Sequence, residues 1–325
     1  MKPTITKELE AGVRYPHHSP VFFDAIRPNY LFTLAEIEAA THHFADENVV
    51  SCGEYAVVYH GIMFGNTRVA VKRLLSSRVK ENEFTGEVEA LLGLRHKNLV
   101  KLLGYCSEGH YRIIVDESAE NGHLGQWLHD CNSEVSPFTW NIRMNIVLGI
   151  AKGLAYLHED TEPAITHQHL KSSSILLDKQ WNPKISDFGI TNLLGSHESP
   201  PTGMSGYLAP EYLSPGILDY KSDVYSFGIV IMEIVSGKTS IEYTTEEYLI
   251  DWTKSMVASQ QYDQILDPKL PELPCLKELK RILLVALICV DPDVNNRPKM
   301  GKVIHMLQPL DLRYSSASHK LSCFT

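Results

Sequence analysis

The sequence predicts an α+β fold, β-rich in its first part and mainly helical in the rest, in a chain that is long enough for two lobes. β-branched runs fall between Val49 and Val71 and again at residues 113–116, where strands are expected. The strongest helical period in the chain runs from Trp140 to His158, with apolar residues recurring at spacings of three and four. A chain of 325 residues with 44% hydrophobic content can bury a core in both lobes.

Charge and composition exclude several classes of protein. The chain has 30 Lys and Arg against 39 Asp and Glu, a net charge of −9, and so lacks the excess of clustered cations that a nucleic-acid partner requires. Its six cysteines are scattered, which predicts neither a zinc site nor a disulfide framework and favours a reduced, cytoplasmic compartment. The longest apolar run, at 282–290, is far shorter than the roughly 20 residues of a membrane span, so no direct span is expected.

The two ends of the chain show no sustained period. Residues 1–30 are expected to form a flexible extension, and residues 309–325 a disordered tail. Order begins at Thr33-Leu-Ala-Glu36, which matches a helical capping box. One apolar stripe follows and predicts a short docking helix; it consists of Leu34, Ile37, Thr41 and Phe44.

The first strands are predicted to form a hairpin, joined through Gly61 and the Gly65-Asn66 pair. The strand Val69-Ala-Val-Lys72 ends on a lysine, which by itself is read as a solvated surface charge.

The helix predicted after this strand carries a carboxylate near its apolar stripe. That stripe is formed by Phe84, Val88, Leu91 and Leu92. Glu87 lies three residues after Phe84 and four before Leu91, which places it near the buried face. A buried carboxylate needs a cation, and Lys72 is the predicted partner.

A predicted hairpin near the middle of the chain has polar motifs at both of its ends. Apolar runs at 175–177 and 184–186 flank a Trp-Asn-Pro turn, and this pattern predicts two short antiparallel strands. His167-Gln-His169 comes shortly before the first strand, and Asp187-Phe-Gly189 directly follows the second.

This hairpin with its flanking motifs resembles a eukaryotic protein kinase. That family has a His-Arg-Asp catalytic loop, an Asn five residues past the Asp, and then Asp-Phe-Gly at the same spacing. The sequences of segments 32–41 and 95–106 are similar to those of plant receptor-like Ser/Thr kinases. Because no membrane span is predicted, the resemblance is to the receptor-like cytoplasmic kinases of this family. The resemblance covers residues 31–308 and implies a two-lobed eukaryotic protein kinase fold. It divides the chain into an N-lobe of about 45–115 with one regulatory helix, a hinge of about 116–120 and a C-lobe of about 121–308.

The resemblance assigns catalytic positions to His169, Lys171 and Ser174. In the family, an Asp in place of His169 accepts the proton of the substrate hydroxyl, and an Asn in place of Ser174 holds a second Mg²⁺. Lys171 would reach the γ-phosphate, and Asp187 would hold the first metal ion. Imidazole differs from a carboxylate in reach and charge, and a serine hydroxyl is a poorer Mg²⁺ ligand than an amide carbonyl. The catalytic loop is therefore expected to be degenerate.

The resemblance also implies a nucleotide site between the lobes. Its implied ligands are Ser51, Gly53, Val58, Ala70, Lys72, Glu87 and Leu176. Only Gly53 remains of the three glycines that let backbone amides close over phosphates, so binding of ATP and Mg²⁺ is expected to be weakened. Asp116 occupies the gatekeeper position behind the adenine pocket, where it is either exposed by a local distortion or carries a desolvation cost.

The C-lobe keeps the charged frame of the family. Glu211 and Arg297 match a buried ion pair, Asp223 matches the acid that ties down the catalytic loop, and His167 matches a structural histidine. Gln168 replaces the loop Arg, so a phosphate on Ser199 or Thr202 would lack its usual cation.

Two functions are consistent with these residues. The first is a pseudokinase that acts as a scaffold or allosteric regulator by binding another protein kinase, a receptor-like kinase or its substrate. It would be cytoplasmic, or peripheral at the plasma membrane through its partner. The second is an active ATP-dependent Ser/Thr kinase with His169 as an unusual base. Three parts of the phosphoryl-transfer machinery are altered together, which favours the pseudokinase.

Overall fold

A five-stranded antiparallel sheet with the strand order β1-β2-β3-β5-β4 forms the N-terminal lobe. Its strands are β1 (Val49–Cys52), β2 (Ala56–Met63), β3 (Thr67–Leu74), β4 (Leu102–Cys106) and β5 (Ile113–Glu117). The computed structural model describes residues 28–53, 55–75, 79–189, 204–213, 219–242 and 247–308. Over these residues the predicted α+β architecture, with a β-rich first lobe and a helical second lobe, is confirmed.

The predicted hairpin turn lies between β2 and β3. Gly65 and Asn66 both have positive φ angles, of 77° and 60°, which is the backbone conformation that tight hairpin turns require. The turn at Gly65-Asn66 is therefore confirmed. The prediction that Gly61 also joins two strands was wrong, because Gly61 lies inside β2 opposite Val69, where a side chain would crowd the neighbouring valines.

Helix α2 (Glu81–Leu92) packs on the sheet of the N-terminal lobe. Phe84, Val88 and Leu91 are buried in the core, as their spacing predicts. Glu87 is exposed, so the prediction that it lies near the buried face was wrong. At about 100° per residue, Glu87 falls on the flank of the stripe, and the rotation of the helix turns that flank to solvent.

The predicted capping box begins helix α1 (Leu34–Ala40). The Thr33 hydroxyl accepts a hydrogen bond from the Glu36 amide, and the Glu36 carboxylate accepts one from the Thr33 amide at 2.7 Å. Just before the helix, Leu31 pairs in parallel with Tyr105 of β4. The close approach depends on Gly104, because a Cβ at that position would overlap the Tyr30 carbonyl oxygen.

The C-terminal lobe is built around a helix that is buried almost throughout. The lobe contains α3 (Trp140–Ala155), α4 (Tyr220–Ser236), α5 (Leu249–Ala258), α6 (Leu276–Cys289) and α7 (Met300–Leu307). Every residue of α4 from Ser222 to Ser236 is buried, and α3, α5 and α6 pack against it. The core helix predicted from Trp140 onward is confirmed as α3, and a π-helical turn continues it to Asp160.

Two short hairpins complete the described fold. The predicted hairpin is confirmed by β6 (Ile175–Leu177), which pairs with β7 (Pro183–Ile185). A second one joins β8 (Ile241–Glu242) and β9 (Glu247–Tyr248).

Some predictions fall on residues outside the described ranges. Ser199, Thr202, the tail 309–325 and residues 1–27 of the predicted extension belong to this group. Among the described residues, we find no helix with the length and apolar character needed to cross a membrane.

Candidate active site

Asp223 of α4 anchors the catalytic loop. Its carboxylate accepts hydrogen bonds from the backbone amides of His167 and Gln168, both at 2.7 Å, and lies 2.8 Å from Nε2 of His158. Burial raises the pKa of Asp223, but the His158 hydrogen bond and the nearby histidines outweigh burial, so the net pKa lies below its usual value. The role that the resemblance implies for Asp223 is the one this geometry supports.

His167 is fully buried and joins the loop to the end of β7. Its Nε2 lies 2.8 Å from the Ser186 carbonyl oxygen, while its Nδ1 lies 3.2 Å from the amide nitrogen of His169. A nitrogen that accepts from an amide carries no proton, so the ring is neutral. Burial also lowers the pKa of His167. These contacts give His167 a structural role, as predicted.

His169, at the position of the family base, is a neutral imidazole. Burial and the positive charge of Lys171 lower the pKa of His169 to about 3, so the ring carries no charge near neutral pH. The ring of Tyr55, in the loop between β1 and β2, packs edge-on against it with the ring centroids 5.8 Å apart. The position where the family places a carboxylate facing the substrate therefore holds a neutral ring covered by a second ring.

Ser174, at the position of the family metal-binding Asn, is buried within the loop. Its hydroxyl accepts a hydrogen bond from the Lys171 amide at 2.9 Å and donates one to the Lys171 carbonyl at 2.8 Å. The single hydroxyl proton and one lone pair are thus committed to closing a short turn at 172–174. In this arrangement Ser174 holds the loop together and does not face a metal ion.

Lys72 is the centre of a buried cluster of charge. Its Nζ lies 2.7 Å from Asp116 Oδ2 and 2.8 Å from Asp187 Oδ1. Burial lowers the pKa of Lys72, but the two carboxylates more than offset this and leave the pKa raised. The other oxygen of Asp187 accepts a hydrogen bond from the Ser186 hydroxyl at 2.7 Å. Burial raises the pKa of Asp187, yet Lys72 outweighs that effect, and the net pKa is lowered.

The predicted Lys72–Glu87 pair does not form. Glu87 is exposed on α2, whereas the ammonium of Lys72 is engaged by carboxylates of β5 and of the Asp-Phe-Gly segment. Glu89 of the same helix is also exposed, but its carboxylate accepts a hydrogen bond from the Tyr105 hydroxyl at 2.8 Å. The glutamate that resemblance assigns to the nucleotide site is thus separated from it.

Strand register brings several other predicted nucleotide ligands together. Val58 of β2 lies opposite Lys72, and Ala70 of β3 lies opposite Asp116. Leu176 of β6 is half-buried and bridges to His123. Ser51 and Gly53 are exposed at the end of β1. Of the two alternatives for Asp116, the structure shows the buried one, because the residue is only 7% exposed and its carboxylate pairs with Lys72.

The groups that the family uses to hold Mg²⁺ and ATP already have protein partners in this arrangement. The metal would need the carboxylate of Asp187 and an oxygen at position 174, and the phosphates would need the ammonium of Lys72. Both oxygens of Asp187, the hydroxyl of Ser174 and the ammonium are each engaged by a protein group.

The remaining frame of the C-lobe is intact. Arg297 is 1% exposed and contacts Glu211 through two parallel hydrogen bonds of 2.6 and 2.8 Å. The ion pair that the resemblance implies is therefore present. Together with the anchored loop and the two-lobed fold, it defines a protein kinase domain.

Comparison with known proteins agrees with this class. The sequence model of the family described as protein tyrosine and serine/threonine kinase matches residues 45–307, and the chain belongs to this family, within its receptor-like group. A receptor-like protein kinase of Arabidopsis thaliana is 51% identical over 287 residues, which cover 87% of this chain and 61% of the relative. A receptor-like serine/threonine-protein kinase of the same plant is 48% identical over 293 residues, which cover 87% of this chain and 67% of the relative. The chain thus spans about three fifths to two thirds of these relatives.

A solved structure supports the fold in three dimensions. The pseudokinase domain of BIR2, an immune regulator of the RLK/Pelle family, superimposes with a TM-score of 0.73 at 32% sequence identity, over 84% of each chain. The two-lobed protein kinase fold is therefore confirmed.

Two features of the site were missed or left open by sequence reasoning. The contact of Tyr55 with His169 depends on how a loop closes, and no periodic pattern signals it. The pairing of Asp116 with Lys72 had a signal in the alternation of their two strands, which places both side chains on one face of the sheet.

Proposed function

We propose that this chain is a pseudokinase of the receptor-like kinase family that acts as a scaffold or allosteric regulator of an active kinase. The observation that carries the proposal is the neutral, ring-covered His169 at the position of the catalytic base. General acid–base catalysis contributes about 10²–10⁴-fold in rate, and a neutral imidazole of pKa about 3 is a very weak proton acceptor at neutral pH.

The metal and phosphate groups support the same proposal. Ser174 is committed to its own loop, and Lys72 and Asp187 are committed to each other. The charged frame of the C-lobe, by contrast, is retained. Contacts that hold the fold are therefore kept, whereas the groups that perform phosphoryl transfer in the family are altered.

The partners we propose are the cytoplasmic domain of a receptor-like kinase or a substrate of that kinase. The similarity to BIR2, a pseudokinase named as an immune regulator, supports a regulatory role through binding. The location that fits such partners is the cytoplasm, including the inner face of the plasma membrane.

The test is a phosphotransfer assay with radiolabelled ATP, Mg²⁺ and a general protein substrate. We expect no transfer above a Lys72→Met control. We also expect His169→Asp alone to restore no strong activity, because Ser174 and the glycine-poor loop still limit binding of metal and phosphate. Substantial transfer by the unmodified chain would show that it is an active kinase and would overturn the proposal.

The regulatory role has its own test. The purified chain is added to the cytoplasmic domain of a related receptor-like kinase, and binding and the rate of that kinase are measured together. We expect saturable binding with a change in the partner's rate. The effect should be the same with and without ATP and Mg²⁺, because scaffolding does not need nucleotide.

A further inference from the structure

Asp116 and Lys72 lie on neighbouring strands of one sheet. In the antiparallel register of β3 and β5, Lys72 lies opposite Ile114 and Ala70 lies opposite Asp116. Side chains two residues apart on a strand point to the same face, so Lys72 and Asp116 are diagonal neighbours on that face. The two groups are buried, with 6% and 7% of their surfaces exposed, and their charged atoms are 2.7 Å apart.

We propose that Asp116 is a built-in counter-ion that holds Lys72 in place of both Glu87 and the phosphates of a nucleotide, and so excludes nucleoside triphosphates from the cleft. The inference rests on the proposed function and adds the residue that sets what the cleft binds. It is drawn from the distances and burial of Asp116, Lys72 and Asp187, and from the exposure of Glu87.

The charges of the cluster explain the exclusion. One ammonium lies between two carboxylates, so with all three groups ionised the cluster carries a net charge of −1 and has no positive charge left over for a phosphate. A triphosphate is strongly anionic and would have to displace a carboxylate from Lys72. The displaced Asp116 would then be a buried charge without a partner, which is strongly unfavourable.

The strand position makes Asp116 a stronger competitor than a helix residue. Both partners are fixed by the backbone hydrogen bonds of one sheet, so little freedom is lost when they pair. A glutamate on α2 reaches Lys72 only when the helix is rotated inward. In this structure Glu87 is exposed, and the carboxylates at Lys72 come from Asp116 and Asp187.

The test compares nucleotide binding by the unmodified chain, Asp116→Asn and a matched control. Asparagine keeps the shape of the side chain and removes its charge. Glu117→Gln removes a charge from the next residue, which contacts Lys184 at 2.7 Å and does not bond Lys72. Binding of ATP with and without Mg²⁺ is measured by titration calorimetry and by the rise in unfolding temperature.

We expect Asp116→Asn to bind ATP at least about tenfold more tightly than the unmodified chain, and Glu117→Gln to bind as the unmodified chain does. The double variant Asp116→Asn with Lys72→Met should lose the gain, because the freed ammonium is its source. A second variant, Asp116→Leu, removes the carboxylate without leaving a buried amide and should show the same gain if Asp116→Asn does not fold.

Three results would overturn the inference. They are equal ATP affinity of the unmodified chain and the folded Asp116 variants, a gain of equal size in Glu117→Gln, and a gain that survives loss of Lys72. A phosphotransfer assay on the same samples separates this from the proposed function. Transfer by the unmodified chain would defeat the proposed function, whereas an Asp116 variant that neither binds nor transfers would defeat only the inference.

Discussion

The C-lobe frame and the interlobe cleft both contain buried charges, but the partners of those charges are placed differently in the two regions. In the frame, Arg297 and Glu211 contact each other across 86 positions of sequence, and Asp223 holds a loop more than 50 positions away. In the cleft, Lys72 is held by Asp187 across 115 positions of sequence and also by Asp116 from the adjacent strand.

The difference separates what the fold needs from what the chemistry needs. Frame charges join distant elements of the lobe, so their loss would leave buried groups unpaired and loosen the packing. In the cleft, the carboxylate of Asp116 on the adjacent strand gives Lys72 a partner without any ligand. A kinase fold can therefore lose its catalytic groups while its core remains intact.

The largest effect is expected from breaking the frame. Arg297→Ala should lower the free energy of unfolding by about 3–5 kcal/mol, because Glu211 is left without its bidentate partner and the Arg297 site is empty. Denaturant unfolding measures this loss. The double variant with Glu211→Ala should recover part of it, and a loss below about 1 kcal/mol in the single variant would contradict the comparison.

A smaller loss is expected when the loop anchor is removed. Asp223→Ala should cost about 2–4 kcal/mol, because the buried amides of His167 and Gln168 lose their acceptor and each stranded donor costs about 1–3 kcal/mol. Asp223→Asn keeps one acceptor oxygen and should lose less. If both variants unfolded at the same denaturant concentration as the unmodified chain, the anchor would have no part in stability.

In the cleft, the expected effect depends on pH. The pKa of His169 is lowered from 6.5 to about 3, so the folded chain keeps the ring neutral while the unfolded chain takes up a proton. The stability from His169 is therefore complete above pH 6.5 and is lost as the pH falls toward 3.

His169→Asn removes this titration. Relative to the variant, the unmodified chain should lose about 2–4 °C of unfolding temperature between neutral pH and about pH 5. His167 titrates with the same sign but is present in both proteins, so it cancels from the difference. If the unfolding temperatures of the two proteins changed equally with pH across this range, His169 would not be held neutral in the folded chain.

The smallest effect is expected at Glu87. Because its side chain is exposed, Glu87→Ala should change the free energy of unfolding by less than about 0.5 kcal/mol. Glu89→Ala, on the same helix, loses the hydrogen bond from Tyr105 and should cost about 1 kcal/mol. A loss at Glu87 greater than at Glu89 would mean that Glu87 pairs with Lys72 in solution.

Local patterns were enough to predict several helices and hairpins of the fold. The capping box at Thr33, the stripe of Phe84 and the period from Trp140 each depend on residues within a few turns, and the structure has all three. The resemblance to the kinase family also implied that Asp223 anchors the loop and that Arg297 pairs with Glu211, and the structure has both contacts.

The partners of the cleft charges could not be predicted in the same way. Whether Glu87 faces Lys72 depends on the rotation of α2 about its axis, which spacing fixes only to within the width of a stripe. The Asp116 contact needs the register of two strands that are more than 40 positions apart in sequence. The cover of Tyr55 over His169 depends on loop closure across the cleft.

Strand β4 lies at one end of the sheet, and its outer side is partly occupied by the chain itself. The Phe32 amide donates to the Tyr105 carbonyl, and the Tyr105 amide donates to the Tyr30 carbonyl, both at 2.8 Å. Unpaired edge strands are templates on which other molecules add strands and aggregate. Because residues 30–32 occupy backbone hydrogen-bonding groups at this edge, they shield the N-terminal lobe from edge-to-edge association with its own copies.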